Sequence, residues 1–321
     1  MKNKLGSKST VLLSAALVAA LGAPIAGSAA GLANSPIHVR ALNDADKSFS
    51  AIKPGLKSAD PTGSPSSSSS PSPTSPPVSA QPNPASDFTW TTTATAATIT
   101  GYIGTAKDVV LPESYRYNGV DLPVTTIGSQ AFKGTPIESV VLPRSMTRVS
   151  ANSFMSASSL KSVSIPDTIT SIASYAFYGT RLESLDLPDS VTTIGTYAFS
   201  GVNIGSLKLP EGVNNVGVYA FYKSGITELK LPSSLKTLNI QSFGNNPLTT
   251  VTVPSTVTSI GDRTFDGPSL QSVYMEGNAP TTFTSAGTSG SFGVASGKTV
   301  YYRPGATGYT ATWKGYKTAT Y

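Results

Sequence analysis

Residues 182–201 read LESLDLPDSVTTIGTYAFSG, and the way this stretch recurs decides the fold. Phe199 belongs to a register of seven phenylalanines: Phe132, Phe154, Phe177, Phe199, Phe221, Phe243 and Phe265, spaced 22, 23, 22, 22, 22 and 22 residues apart. Pro188 belongs to a second register, Pro143, Pro166, Pro188, Pro210, Pro232 and Pro254, which keeps step at 23, 22, 22, 22 and 22. Two registers locked over this many periods are the signature of a repeat architecture. The apolar positions of the unit are Leu182, Leu185, Leu187, Val191, Ile194 and Phe199, and the next unit repeats them as Ile204, Leu207, Leu209, Val213, Val216 and Phe221.

The L-x-L-P stretch predicts a short strand with Leu185 and Leu187 turned inward and Asp186 outward, because side chains alternate along a strand. Pro188 ends it, having no N–H to give to a ladder. The V-x-x-I-G stretch crosses the back, with room for a second short strand. Phe199 is planted in the interior, and Gly201 lets the chain turn. One unit cannot close a core, but stacked units bury a continuous apolar column. The expected architecture is a β-rich solenoid of short parallel strands with little α-helix, its core built on the phenylalanine register.

The unit L-x-x-L-x-L-P-x-x-V-x-x-I-G-x-x-A-F-x-G resembles the BspA-type leucine-rich repeat of bacterial and protist surface proteins, over residues 99–275. The stretch ATITGYIGTAKDVVLP, followed by GVDLPVTTIGSQAF, resembles the usual opening of such arrays. The tail TVYYRPGATGYTATWKGYKTATY resembles the segment that closes them. The resemblance implies a leucine-rich repeat solenoid with a C-terminal β cap, working at a cell surface on host-protein, matrix or cell-cell partners. Ser153, Ser242 and Thr264 replace the alanine of the unit and Asn239 replaces its glycine, changes read as conservative for packing.

Outside the array, Lys2, Lys4 and Lys8 followed by an apolar run from Val11 to Leu21 and small residues at Ser28 and Ala30 read as an export signal over residues 1–30. Eleven apolar residues rise only about 16 Å as a helix, short of a ~30 Å hydrocarbon core, so no transmembrane segment is expected after cleavage. Residues 31–59 carry apolar residues without a period and read as disordered. Residues 60–87 form a linker: 18 of the 27 residues from Asp60 to Ser86 are Ser or Pro, a composition that stays extended and solvated. The array with its opening segment then spans 88–275, and the cap 276–321. The protein is therefore expected outside the cell or attached to its surface.

Of the 321 residues 12% are charged, about half the usual share, so Ser and Thr carry much of the surface polarity. No cysteine is present, which removes disulfides, thiolate nucleophiles and Cys-ligated metals. His38 is the single histidine and lies upstream of the repeats, which removes a Ser-His-Asp triad and a His-built metal centre within the array. The formal charge of +6 is carried by the ends: between residues 100 and 275 twelve Lys and Arg balance twelve Asp and Glu. Nucleic-acid binding needs a basic stripe, so that class is not expected. Neither G-x-S-x-G, a phosphate-binding glycine loop, a dinucleotide fingerprint nor an L-P-x-T-G sorting signal occurs. No catalytic residue, cofactor or bound metal is expected.

Four surfaces remain. Tyr175, Tyr197 and Tyr219 recur two residues before the phenylalanine, and Tyr178 and Tyr222 follow it, so five tyrosines gather on one flank of the middle units. They read either as a patch binding a protein or glycan, since Tyr offers large area at low entropic cost, or as a ladder covering the edge of the core. Outward strand positions supply Asp186, Lys208 and Lys230 as further ligand candidates. Asp167, Asp189 and Glu211 stack after the strand proline; they read as turn-shaping carboxylates, because coils about 4.8 Å apart cost little repulsion in water. The aromatics of the tail, Tyr301, Tyr302, Tyr309, Trp313, Tyr316 and Tyr321, read as the cap over the last coil. The function that follows is a non-enzymatic recognition or adhesion protein. A structural envelope or matrix protein without a discrete ligand is the alternative.

Overall fold

The computed structural model describes residues 81–288 and 290–321. The export signal, the segment 31–59 and the linker up to residue 80 lie outside the described residues. Among the described residues there is no α-helix: a single 3-10 turn at Ala85–Asp87 precedes short strands throughout.

Each repeat forms one coil with two strand positions. On the front, Asp108–Val110, Ser139–Val141 and Ser162–Ser164 pair in parallel, residue for residue at the repeat spacing. Ser206–Lys208 pairs with Glu228–Lys230, and Thr250–Val253, Ser272–Met275 and Thr299–Tyr302 form a further parallel run. On the back, the two-residue strands Arg148–Val149, Ser171–Ile172, Thr193–Ile194 and Asn215–Val216 make one ladder, and Thr237–Leu238, Ser259–Ile260 and Thr282–Phe283 another. At the start, an antiparallel hairpin of Phe88–Thr92 and Ala97–Tyr102 joins Val120–Ile127 and Ser114–Tyr117, and closes the first coil. At the end, Tyr316–Thr320 extends the front sheet in parallel, and the antiparallel strand Thr312–Trp313 finishes it. This is the β cap.

The seven register phenylalanines are buried to within 2%. Their rings stack through the core at 4.9, 5.1, 5.3, 5.3, 5.6 and 5.6 Å between centroids. The stack runs beyond the register at both ends. Tyr102 lies 5.8 Å from Phe132, and Phe292 lies 6.2 Å from Phe265. Phe292 follows Phe265 by 27 residues, so a 22-residue period passes over it. Residues 276–302 thus hold another coil, with its own back strand at Thr282–Phe283 and front strand at Thr299–Tyr302.

Three expectations need correction. The strand drawn through Leu185 to Leu187 is absent: Glu183 and Asn203 keep their backbone bonds to neighbouring coils, but the centre of this coil is unpaired. Its inward Leu185, like Val163 on the coil before, is only partly buried, so the packing that would hold a strand flat is incomplete. The front sheet opens again between Glu228–Lys230 and Thr250–Val253, where Pro247 has no N–H to offer the preceding coil. Asn239 is also not neutral. At Gly195, Gly217 and Gly261 the backbone N–H bonds to the coil before, on Ile172, Ile194 and Leu238. At Asn239 the side-chain amide donates to Val216 O instead, at 2.7 Å, and the back ladder breaks there. A side-chain donor has displaced the backbone donor. Finally, hydrogen-bonded structure begins inside the segment read as linker: Asn83 N donates to Val110 O, and Val110 N donates to Asn83 Oδ1.

Candidate functional site

The tyrosine flank grows out of a backbone feature shared by every repeat. The position two before the phenylalanine is in the left-handed region in all seven coils: Gln130, Asn152, Tyr175, Tyr197, Tyr219, Gln241 and Arg263, with φ between 49° and 63°. None is glycine, although this geometry costs a residue with a Cβ of order 1–3 kcal/mol. The conformation aims the N–H at the next coil: Tyr175 donates to Thr196 O, Tyr197 to Val218 O and Tyr219 to Ile240 O. The phenylalanine N–H two residues on does the same, as from Phe199 to Ala220 O. Two rungs per coil offset the backbone cost. The side chain is left free to vary, and in the three middle coils it is tyrosine.

There the rings stack. Tyr175 and Tyr197 are 4.9 Å apart with planes 15° apart, and Tyr197 and Tyr219 are 4.6 Å apart with planes 4° apart. Tyr178 stands edge-on to Tyr175 and Tyr197, and Tyr222 edge-on to Tyr219. All five are half-buried. Tyr222 OH accepts from Asn245 Nδ2 at 3.0 Å, and Lys223 Nζ lies 5.4 Å from the Tyr222 centroid. The hydroxyls of Tyr175, Tyr178, Tyr197 and Tyr219 make no hydrogen bond among the described residues and are not buried, so they face water. Burial within the stack, then its four neighbouring phenols, pushes the Tyr197 hydroxyl above the usual tyrosine range. The five residues form one contiguous surface, a ladder on its inner side and a row of phenolic edges on its outer side.

The other sequence candidates are not part of that surface. Lys208 and Lys230 are exposed and sit directly opposite each other on paired strands, with Ser206 Oγ donating to Glu228 between the same strands. Asp186 is exposed on the coil that lacks a front strand and makes no ion pair among the described residues. The stacked carboxylates shape turns. Glu211 accepts from Ser233 N and Oγ on the next coil, both at 3.0 Å, and these bonds pull its carboxyl below the usual range. Glu113 does the same for Arg144 N and Ser145 N, and Asp167 pairs loosely with Arg144 at 3.8 Å. Glu138 bridges Lys107 and Lys161 at 2.7 Å each, and the two ammonium groups hold it at about 2. Among the described residues no three His, Asp or Glu side chains come close enough to hold a metal ion.

The tail aromatics are spent on the cap. Trp313 and Tyr316 are buried, Tyr316 OH donates to Gly293 O, and Tyr302 stacks on Tyr309 at 4.6 Å. No helix among the described residues is long and apolar enough to cross a membrane.

Coils of 22 or 23 residues, short parallel front strands, an interior phenylalanine stack and two distinct caps define a leucine-rich repeat solenoid. The chain belongs to the family described as BspA type leucine rich repeat region: its model matches six copies over residues 125–246 and 170–286. The fold is similar to that of a leucine-rich repeat protein from Bacteroides ovatus, at 19% identity, 67% of this chain and 70% of that chain, with a TM-score of 0.52. A leucine-rich repeat protein of T. pallidum matches at 29% identity over 51% of this chain and 78% of that one, with a TM-score of 0.45. No curated protein matches the chain. Proteins with this repeat are typically surface proteins of bacteria.

Proposed function

We propose that this is an exported, non-enzymatic recognition protein that engages a protein partner at or beyond the cell surface through the tyrosine ladder. The observation that carries the reading is the contiguous row of Tyr175, Tyr178, Tyr197, Tyr219 and Tyr222, half-exposed with unpaired hydroxyls. A fold that needed only to cover its edge has smaller solutions at the same left-handed position, Asn152 and Gln130 among them. Ring faces in the stack are occupied by neighbouring rings, so the outward surface is edges and hydroxyls. That suits the mixed apolar and hydrogen-bonding contacts of a protein interface better than stacking on a sugar. Family membership and the export-type N-terminus support the location, and leucine-rich repeat proteins generally bind proteins and are generally not enzymes.

The test is a screen of the full chain against extracellular-matrix proteins, host surface proteins and a glycan array. It is repeated with Tyr175, Tyr197 and Tyr219 changed together to Asn, a residue this position already carries at Asn152. Loss of a protein ligand with the melting temperature nearly kept supports the reading. A ligand that survives the triple change moves the site to Asp186, Lys208 and Lys230. A glycan-only hit overturns the protein partner, and no ligand at all favours the structural envelope role.

A further inference from the structure

The coil that carries Phe292 is longer than the others, and it stands off from the coil before it. Between them is a cleft of about 540 Å³ lined by Asn245, Asp266, Ser269, Gln271, Ser296 and Lys298, with Leu270 and Val294 as apolar wall. Lys298 is only 8% exposed. Its Nζ donates to Val294 O at 2.9 Å and makes no ion pair among the described residues. An ammonium has three donors, so two are uncommitted. A charge this far from water is ordinarily paired, because desolvation without a counter-charge is costly. Asp266 is on the same cleft but does not pair with it; its carboxylate packs against Gly293, held in the left-handed region at φ 75°, where a Cβ would collide with that carboxylate. The arrangement keeps a cation and an anion on one cleft and apart.

We propose that this cleft is a second binding site, distinct from the tyrosine ladder, for an acidic sugar residue. The ligand carboxylate supplies the counter-charge that Lys298 lacks, and Asp266, Asn245, Ser269 and Gln271 meet hydroxyls. The volume is within the range of small-molecule sites and fits one or two sugar rings. A peptide is disfavoured by the lining, which offers neither an aromatic anchor nor a deep apolar pocket for a side chain.

The experiment titrates the full chain with sodium glucuronate at fixed ionic strength, following ligand-observed NMR and the melting temperature. Glucose, glucuronamide and acetate serve as comparators. A charge-assisted bond at Lys298 gives glucuronate an advantage of about tenfold or more over glucuronamide and glucose. Lys298→Met is expected to abolish that advantage while the melting temperature holds or rises, since an unpaired buried charge is removed. Asp266→Asn is expected to keep glucuronate binding, and the triple tyrosine variant to leave it unchanged. Glucuronamide binding as well as glucuronate, on the parent protein alone, overturns the role of Lys298 even if the Met variant does not fold. Acetate binding as tightly as glucuronate overturns the sugar, and preference for glucuronate that survives Lys298→Met or Lys298→Gln overturns the site.

Discussion

Asn246 is buried, and its side chain is fully occupied. Oδ1 accepts from Ser224 N at 2.9 Å and Ile226 N at 3.0 Å, while Nδ2 donates to Phe221 O and Phe243 O, both at 2.8 Å. It stitches the turn of its own coil to the turn before it. The same position, three after the phenylalanine, holds Thr135 and Thr180, whose hydroxyls donate to Phe132 O and Phe177 O, and Ser224, whose hydroxyl donates to Phe199 O. Asn246→Ala leaves two buried N–H groups without partners, each worth about 1–3 kcal/mol. A loss of about 3–5 kcal/mol is therefore expected in urea unfolding, against little change for a surface Asn such as Asn214. This column was not visible as a pattern, because Ala157 and Val202 interrupt it. A polar residue at a mostly apolar turn was the only signal.

At the scale of the coil, the phenylalanine stack and the back ladder behave differently under substitution. Phe199 has ring neighbours on both sides, at 5.3 Å to Phe177 and 5.3 Å to Phe221. Phe199→Ala is expected to cost about 3–5 kcal/mol, with unfolding that loses cooperativity in mid-array because each coil rests on the next. A melting curve superimposable on the parent's is the outcome that contradicts a phenylalanine core. Asn239 separates side-chain from backbone bonding. Asn239→Ala removes the bond to Val216 O and is expected to cost about 1 kcal/mol. Asn239→Gly is expected to cost less, because the backbone N–H can then take the carbonyl as it does at Gly217 and Gly261. Amide-exchange protection at residue 239, gained in the Gly variant and not in the Ala variant, checks it.

At the scale of the whole array, stability depends on closing both ends. In the cap, Tyr316 is buried and its phenol is pushed up to about 12, mainly by burial. An unfolded tyrosine ionises near 10. A phenol with a raised folded-state value contributes stability that is complete below about pH 10 and lost as the pH rises through 12. The protein should therefore lose stability over that window, and Tyr316→Phe should flatten the loss while lowering stability at neutral pH by the bond to Gly293 O. At the other end, Asn83 holds Val110 with two hydrogen bonds. A chain beginning at residue 81 should melt like the full chain, and one beginning at residue 88 about 1–3 kcal/mol less stably, at about 1 kcal/mol per bond. Equal melting of the two shortened chains would place the boundary at Asp87, where composition alone draws it.

Periodicity determined the architecture, because a residue repeated every 22 positions along a stacked chain must occupy one column. The interior phenylalanines, the turn glycines and the tyrosine flank all follow from that and were legible before any coordinates. Tertiary structure decided what depends on neighbours in adjacent coils. The left-handed backbone under Tyr197 is set by where the next coil's carbonyl lies, not by any preference of tyrosine. The missing strand at Leu185 reflects incomplete packing of inward side chains, which the L-x-L-P pattern does not encode. The coil of Phe292 and the isolated ammonium of Lys298 are invisible in sequence for one reason: a longer loop breaks the period while the stack through the core continues.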